Sequence, residues 1–270
     1  MKSVRSLAVR GVNRILRQAG LEINSVPRGG RAANLPFPDV EPWVAEIIHK
    51  VRPFTMTSCE RVSALAHAVR YVVRANIPGD IVECGVWRGG SMMAAAFTLQ
   101  AEGDVSRTLH LFDTFEGMAP PTEMDRVTHS GKAASVLLEE VPETSVFWAR
   151  AHIDDVRANL ASTRYPVDRT RFVRGRVEET IPEEAPERVA VLRLDTDWYE
   201  STKHELVHLY PRLSIGGVLI IDDYGYWEGA RKAVDEYIGE NRLLVLLQRI
   251  DETGRISVKI ESERKDIVAV

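Results

Sequence analysis

Short apolar runs that stop abruptly on acidic residues set the pattern of this chain. Val189 to Leu194 is apolar except for Arg193, and Asp195 and Asp197 follow it. Gly217 to Ile221 repeats the form and ends on Asp222 and Asp223. Runs of this length, bounded by polar residues, predict buried strands of a parallel sheet. Ile81 to Cys84, Thr108 to Phe112 and Thr170 to Val173 read the same way. Between the runs the apolar spacing becomes helical. Val62, Leu65, Ala66, Val69, Val72 and Val73 predict an amphipathic helix over Ser58 to Ala75, capped by Ser58. Further helices are predicted over Val44 to Val51, Gly90 to Leu99, Ala149 to Leu160, Glu200 to Leu213 and Trp227 to Ile238. Leu243 to Leu247 and Ile256 to Ile260 flank Asp251-Glu-Thr-Gly254, which predicts a closing β-hairpin. Alternating strands and helices make an α/β fold with a mostly parallel sheet.

The pattern changes at the N-terminus and in one internal stretch. Val4, Leu7, Ala8, Val12, Ile15 and Leu16 fall at helical spacing among Arg5, Arg10, Arg14 and Arg17. This basic amphipathic helix lies on an anionic membrane or packs on the body or on a second subunit. It lacks the bulky aromatics of interfacial helices, so packing is the reading adopted, and with it a homodimer or higher homo-oligomer. Residues 25–42 are rich in Pro, Gly and Arg and form either a lid or a plain tether. The chain is therefore divided into an appendage, 1–42, and a main domain, 43–270. Met118 to Pro142, with Pro120-Pro121 and His129, reads as a substrate-side insertion.

Composition adds exclusions. Of 270 residues, 44% are hydrophobic and 27% charged, as in ordinary globular proteins. The net charge of −4 argues against nucleic acid as a partner. Cys59 and Cys84, with no CxxC spacing, make neither a disulfide framework nor a zinc site, which fits a reducing cytoplasm. No apolar stretch is long enough to span a bilayer, so stable membrane insertion is not expected.

Candidate chemistry gathers at the ends of the predicted strands, where open α/β sheets bind ligands. If the two acid-tipped strands are neighbours, Asp195, Asp197, Asp222 and Asp223 converge. Four like charges so placed need protonation or a cation. An oxygen-only donor set favours Mg²⁺, with Mn²⁺ or Ca²⁺ as substitutes. The competing reading makes these acids N-caps of the following helices. Asp80-Ile-Val-Glu-Cys-Gly-Val-Trp-Arg-Gly-Gly-Ser91 runs strand, glycine turn, helix, the opening of a nucleotide-binding fold or simply a tight connection. Gly85 lets backbone pass close to a ligand, and Ser91 at the helix N-terminus suits a carboxylate or phosphate. Asp113, at the end of the next strand, stands where ribose hydroxyls are gripped. His204 and His208 share a helix face, but without an HExxH context they read as ordinary helix residues.

DIVECGVWRGGS, FDTFEG, FVRGRVEETIP, LRLDTDWYEST and GGVLIIDDYG occur in this order. Together they resemble the S-adenosylmethionine-dependent sugar O-methyltransferases that include the macrocin, mycinamicin and novobiocin enzymes, over about Thr55 to Ile260. The resemblance implies a class I methyltransferase: a Rossmann-like, seven-stranded, mostly parallel sheet with an antiparallel last strand and helices on both faces. It implies that Glu83, Gly85, Val86 and Trp87 line the methionine and ribose part of S-adenosylmethionine, whose product is S-adenosylhomocysteine. Ser91 meets the methionine carboxylate, and Thr55 and Met56 lie near the methionine end. Asp113 takes the ribose, with Thr114, Phe115, Glu116 and Gly117 beside it, and Arg176 and Val177 flank the adenine. Asp195, Asp222 and Asp223 match Mg²⁺ ligands, and Asp197 the general base, with direct metal contact as its alternative role. The implied activity is methylation of a hydroxyl on a deoxysugar or other glycosyl unit of a glycoside, nucleotide-sugar or glycan. The alternatives are a catechol-type or phenolic O-methyltransferase, and a non-catalytic nucleotide-binding protein.

Overall fold

The computed structural model describes residues 37–142 and 144–260. The helix expected over residues 3–19 and the loop as far as residue 36 lie outside them. The chain divides into Met1–Val40 and Glu41–Val270, and all the elements below belong to the second unit.

β1 (Asp80–Cys84), β2 (Leu109–Asp113), β3 (Thr170–Arg174), β4 (Val189–Leu194) and β5 (Leu213–Ile221) run parallel. The two-residue β6 (Gln248–Arg249) and β7 (Arg255–Val258) pair antiparallel, and β7 lies antiparallel against β5. The order is β3-β2-β1-β4-β5-β7-β6, the seven-stranded class I methyltransferase arrangement. The order reverses between β1 and β4, and such switch points open a crevice at the carboxyl ends of the strands.

The helices are α1 (Pro42–Val51), α2 (Cys59–Arg74), α3 (Gly90–Ala101), α4 (Ala134–Glu140), α5 (Ile153–Ser162), α6 (Val177–Thr180), α7 (Tyr199–Leu209) and α8 (Glu228–Glu240). α7 and α8 pack together on one face, where Leu206, Leu209, Val234 and Tyr237 meet Val82, Cys84, Leu192, Leu194, Leu219 and Ile221. α1, α2 and α3 form the other layer. Side chains alternate along a strand, so Glu83 and Arg193 turn away from α7. The register sets the two residues directly beside each other.

Several boundaries differ from the expected ones. α2 begins at Cys59, with the Ser58 hydroxyl accepting from Arg61 N at 3.1 Å, as its spacing implied. α7 stops at Leu209, four residues early: Pro211 cannot continue the helical ladder, and Leu213 already pairs with Val189. The same pairing starts β5 at Leu213 rather than Gly217. α5 starts at Ile153, because Ala149 takes a left-handed conformation and the His152 ring caps Asp154 N at 3.3 Å. The hairpin's first strand is Gln248–Arg249, not Leu243 to Leu247. Leu243 and Leu247 pack against the core while Leu244 and Leu246 are exposed, so the segment lies along the core without pairing as a strand.

The stretch 118–142 is more than a polar insertion. It contains α4, and Val127, Ala134 and Leu138 build a small core with Trp198, Trp227 and Ala230. Trp198 Nε1 donates to Ala119 O at 2.8 Å, and Asp125 Oδ1 accepts from Tyr199 N at 2.8 Å. The insertion is thereby fastened to the carboxyl edge of the sheet.

Candidate active site

A cavity of about 430 Å³ opens at the carboxyl ends of β1, β2, β4 and β5. The β1–α3 turn forms one wall. Gly85 has φ +82°, and a Cβ there would stand 1.9 Å from the Asp195 carbonyl oxygen, so only glycine lets the two strand ends approach so closely. Asp113 braces this turn. Its Oδ2 accepts from Val86 N at 2.6 Å and Trp87 N at 3.1 Å, and its Oδ1 from Phe115 N at 2.6 Å. The Thr114 hydroxyl, 3.5 Å from Oδ1, is a fourth and longer contact, so the carboxylate is held on both oxygens. Burial pushes the Asp113 carboxyl up against the pull of those donors.

Fifteen of the eighteen residues assigned from sequence line this cavity: Thr55, Met56, Gly85, Val86, Trp87, Ser91, Asp113, Thr114, Gly117, Arg176, Val177, Asp195, Asp197, Asp222 and Asp223. The other three stand apart from its surface. Glu83 is buried beneath the floor against Arg193. Phe115 is buried with its ring toward Phe172, and Glu116 is exposed and paired with Arg174. Glu83 faces away because it sits one residue before the strand end, where alternation directs it into the α2–α3 layer.

The acids converge. One oxygen each from Asp195, Asp222 and Asp223 lies within 4.8 Å of the others. None of the four aspartates caps a helix: the N-cap residues of α7 and α8 are Trp198 and Trp227, and neither makes a side-chain cap. Asp125 supplies the α7 N-terminal acceptor instead. The expectation that only protonation or a cation from outside could relieve the repulsion needs correcting. Two guanidiniums share that role. Arg193 Nη1 donates to Glu83 Oε1 at 2.6 Å and Asp195 Oδ2 at 2.7 Å, and its Nη2 to Asp222 Oδ1 at 2.5 Å. Arg61 donates to Asp222 Oδ2 and, at 2.9 Å, to Asp251 Oδ2. The two arginines pair with Glu83, Asp195, Asp222 and Asp251, and Asp197 and Asp223 stand beside them without an arginine partner, so carboxylates outnumber guanidiniums six to two.

That excess shows in the protonation of the group. Burial, with Asp222 and Asp223 nearby, pushes Asp195 well up despite Arg193. Burial, Asp197 and Asp222 do the same to Asp223. Burial and Asp195 push Asp197 up to about 8, and burial pushes Glu83 up to about 7. Asp223 Oδ2 is buried without a hydrogen-bond partner among the described residues. A clustered all-oxygen donor set with an unsatisfied carboxylate oxygen fits a hard divalent cation. Asp197 stands beside it with φ +69°, and its Oδ1 accepts from Trp227 Nε1 at 2.8 Å. The far wall is apolar and aromatic: Met118, Ala119, Phe147, Tyr226 and Trp227.

Sequence reasoning passed over Arg61, Trp227 and the role of Arg193. An arginine inside an otherwise apolar strand, two residues before Asp195, is a signal for the last. Arg61 and Trp227 reach the site only through tertiary packing. His204 Nε2 lies 2.9 Å from Ile181 O and its ring meets that of His208 at a tilt of 51°, as befits ordinary helix residues. Among the described residues, no helix is long and apolar enough to cross a membrane.

This fold and this glycine-turn cavity define a class I methyltransferase. The chain belongs to the macrocin O-methyltransferase family, whose description, Macrocin-O-methyltransferase (TylF), matches residues 50–258. It is 38% identical over 208 residues to the 8-demethyl-8-(2,3-dimethoxy-alpha-L-rhamnosyl)-tetracenomycin-C 4'-O-methyltransferase of Streptomyces olivaceus, covering 74% of this chain and 73% of the relative. It is 34% identical over 200 residues to the mycinamicin III 3''-O-methyltransferase of Micromonospora griseorubida, covering 74% and 76%. Among solved structures, the O-methyltransferase NovP superposes with a TM-score of 0.66 at 30% identity, over 77% of this chain and 83% of that one.

Proposed function

We propose that this O-methyltransferase uses S-adenosylmethionine and a divalent cation, Mg²⁺ first, to methylate a hydroxyl of a deoxysugar or other glycosyl unit. The observation that carries the reading is the cluster of Asp195, Asp222 and Asp223, with the unsatisfied Asp223 oxygen, in the wall of the glycine-turn cavity. The named relatives methylate glycosylated natural products, which supports a sugar acceptor.

Asp195, Asp222 and Asp223 would hold the cation, and a bound dication makes a hydroxyl more acidic. Arg193 fixes Asp195 and Asp222 relative to each other, so the donor set is arranged in advance. Asp197 takes the hydroxyl proton as the O–CH₃ bond forms and the C–S⁺ bond breaks. Trp227 Nε1 holds one Asp197 oxygen and leaves the other for the proton. Burial raises Asp197 toward neutrality, which makes it a stronger base than an exposed carboxylate once ionised. Gly85, Val86, Trp87 and Ser91 would receive the methionine and ribose part, with Asp113 beside the ribose, and Arg176 and Val177 the adenine. The aromatic wall would bear the apolar face of the acceptor.

Acceptor competition tests the reading. With Mg²⁺ and labelled cofactor, methyl transfer to a rhamnosyl-type glycoside is expected to exceed transfer to catechol by at least roughly 100-fold in kcat/KM, about 3 kcal/mol of selectivity. Preferential methylation of catechol would replace the sugar reading with a phenolic one.

A further inference from the structure

We infer that Glu205, which does not line the cavity, is a positioning residue that fixes the Asp195–Asp197 segment through Thr196. The inference rests on the assignment of Asp195 as ligand and Asp197 as base. Thr196 stands between them, and its hydroxyl donates to Glu205 Oε1 at 2.9 Å. On its other side, the Thr196 carbonyl accepts from Trp198 N at 2.8 Å and from Ser201 Oγ at 3.3 Å. Thr196 is thus held by backbone and side chain together, while its neighbour Asp197 is in a left-handed conformation. A non-glycine residue persists there only when its surroundings over-determine it.

Glu205 lies in α7 with 0% of its surface exposed. Its Oε2 is buried without a hydrogen-bond partner among the described residues, and the Cys84 thiol beside it is at most a weak donor. An unsatisfied buried oxygen costs stability that an apolar side chain would not. What the carboxyl supplies in return is an acceptor under the loop. Burial pushes the carboxyl well up, which favours its neutral form beneath the acid cluster. The group therefore acts by geometry, and an amide at this position reproduces it: the Gln Oε1 accepts from Thr196 as the carboxyl oxygen does.

The test is a double-mutant cycle with rescue. Glu205→Ala and Thr196→Val are each expected to lower kcat roughly tenfold, the scale of one hydrogen bond, with the dissociation constant for S-adenosylhomocysteine and the acceptor KM held within about threefold. The double variant should lose no more than either single one, and Glu205→Gln should restore most of the kcat lost in Glu205→Ala. Glu205→Gln as impaired as Glu205→Ala, or losses that multiply in the double variant, would overturn the inference. If Glu205→Ala does not fold, Thr196→Val and Glu205→Gln decide: an unchanged kcat in Thr196→Val overturns it. Asp197→Asn assayed alongside separates the two levels. If that variant keeps full activity the base assignment itself fails, whereas an inactive Asp197→Asn with a silent Thr196→Val removes only the role of Glu205.

Discussion

Asp223→Asn is expected to abolish turnover while leaving the fold as stable as before, or more so. Asp223 has a buried oxygen without a partner and is pressed by Asp197 and Asp222. In metal-free protein its charge is a burden, and the amide removes it. If the residue serves a cation, the same change removes a ligand. Activity should fall by at least roughly 100-fold, the scale of losing an electrostatic contribution of several kcal/mol at the reacting oxygen. Affinity for S-adenosylhomocysteine, measured by calorimetry, should stay within about threefold. Thermal melting in chelator should show an unchanged or raised midpoint. A lowered midpoint that accounts for the lost activity would make Asp223 a structural residue. Asp222 is the less clean probe: it anchors Arg193 and Arg61, and stripping a partner from buried guanidiniums destabilises the fold by itself.

Asp197→Asn separates the base from the ligands. The amide keeps an acceptor for Trp227 Nε1 but cannot take a proton. General-base contributions run to about 10²–10⁴-fold, so kcat should fall by that order. Mn²⁺ affinity, followed by electron paramagnetic resonance, should change less than about threefold, because ligand loss is what weakens a metal site and Asp197 is not assigned as one. Mn²⁺ affinity falling together with kcat would place Asp197 among the ligands, with a water carrying the proton. A kcat within fivefold of the parent would remove it from the chemistry.

The parts of the site legible in the sequence were those that local pattern dictates. A strand's apolar run ends where the sheet ends, so the acids after Leu194 and Ile221 had to lie at the carboxyl edge. The switch in strand order between β1 and β4 then put the glycine turn beside them. What could not be read was the compensation. Arg193 was visible as an interruption of a strand, but its three partners come from β1, the end of β4 and the end of β5. Arg61 arrives from α2, and Trp227 from the start of α8. The role of Asp125 as the cap of α7 depends on the insertion folding back over 74 residues. Glu83 belongs to the same glycine-turn motif as Gly85, but strand alternation sends its side chain beneath the floor against Arg193.

The measurement closest to the central claim is turnover after exhaustive chelation and dialysis, followed by titration of Mg²⁺ back into the same sample. Activity is expected to fall to background and to return in a saturable way, with Asp223→Asn showing no return. Undiminished methyl transfer in metal-free protein would contradict the account.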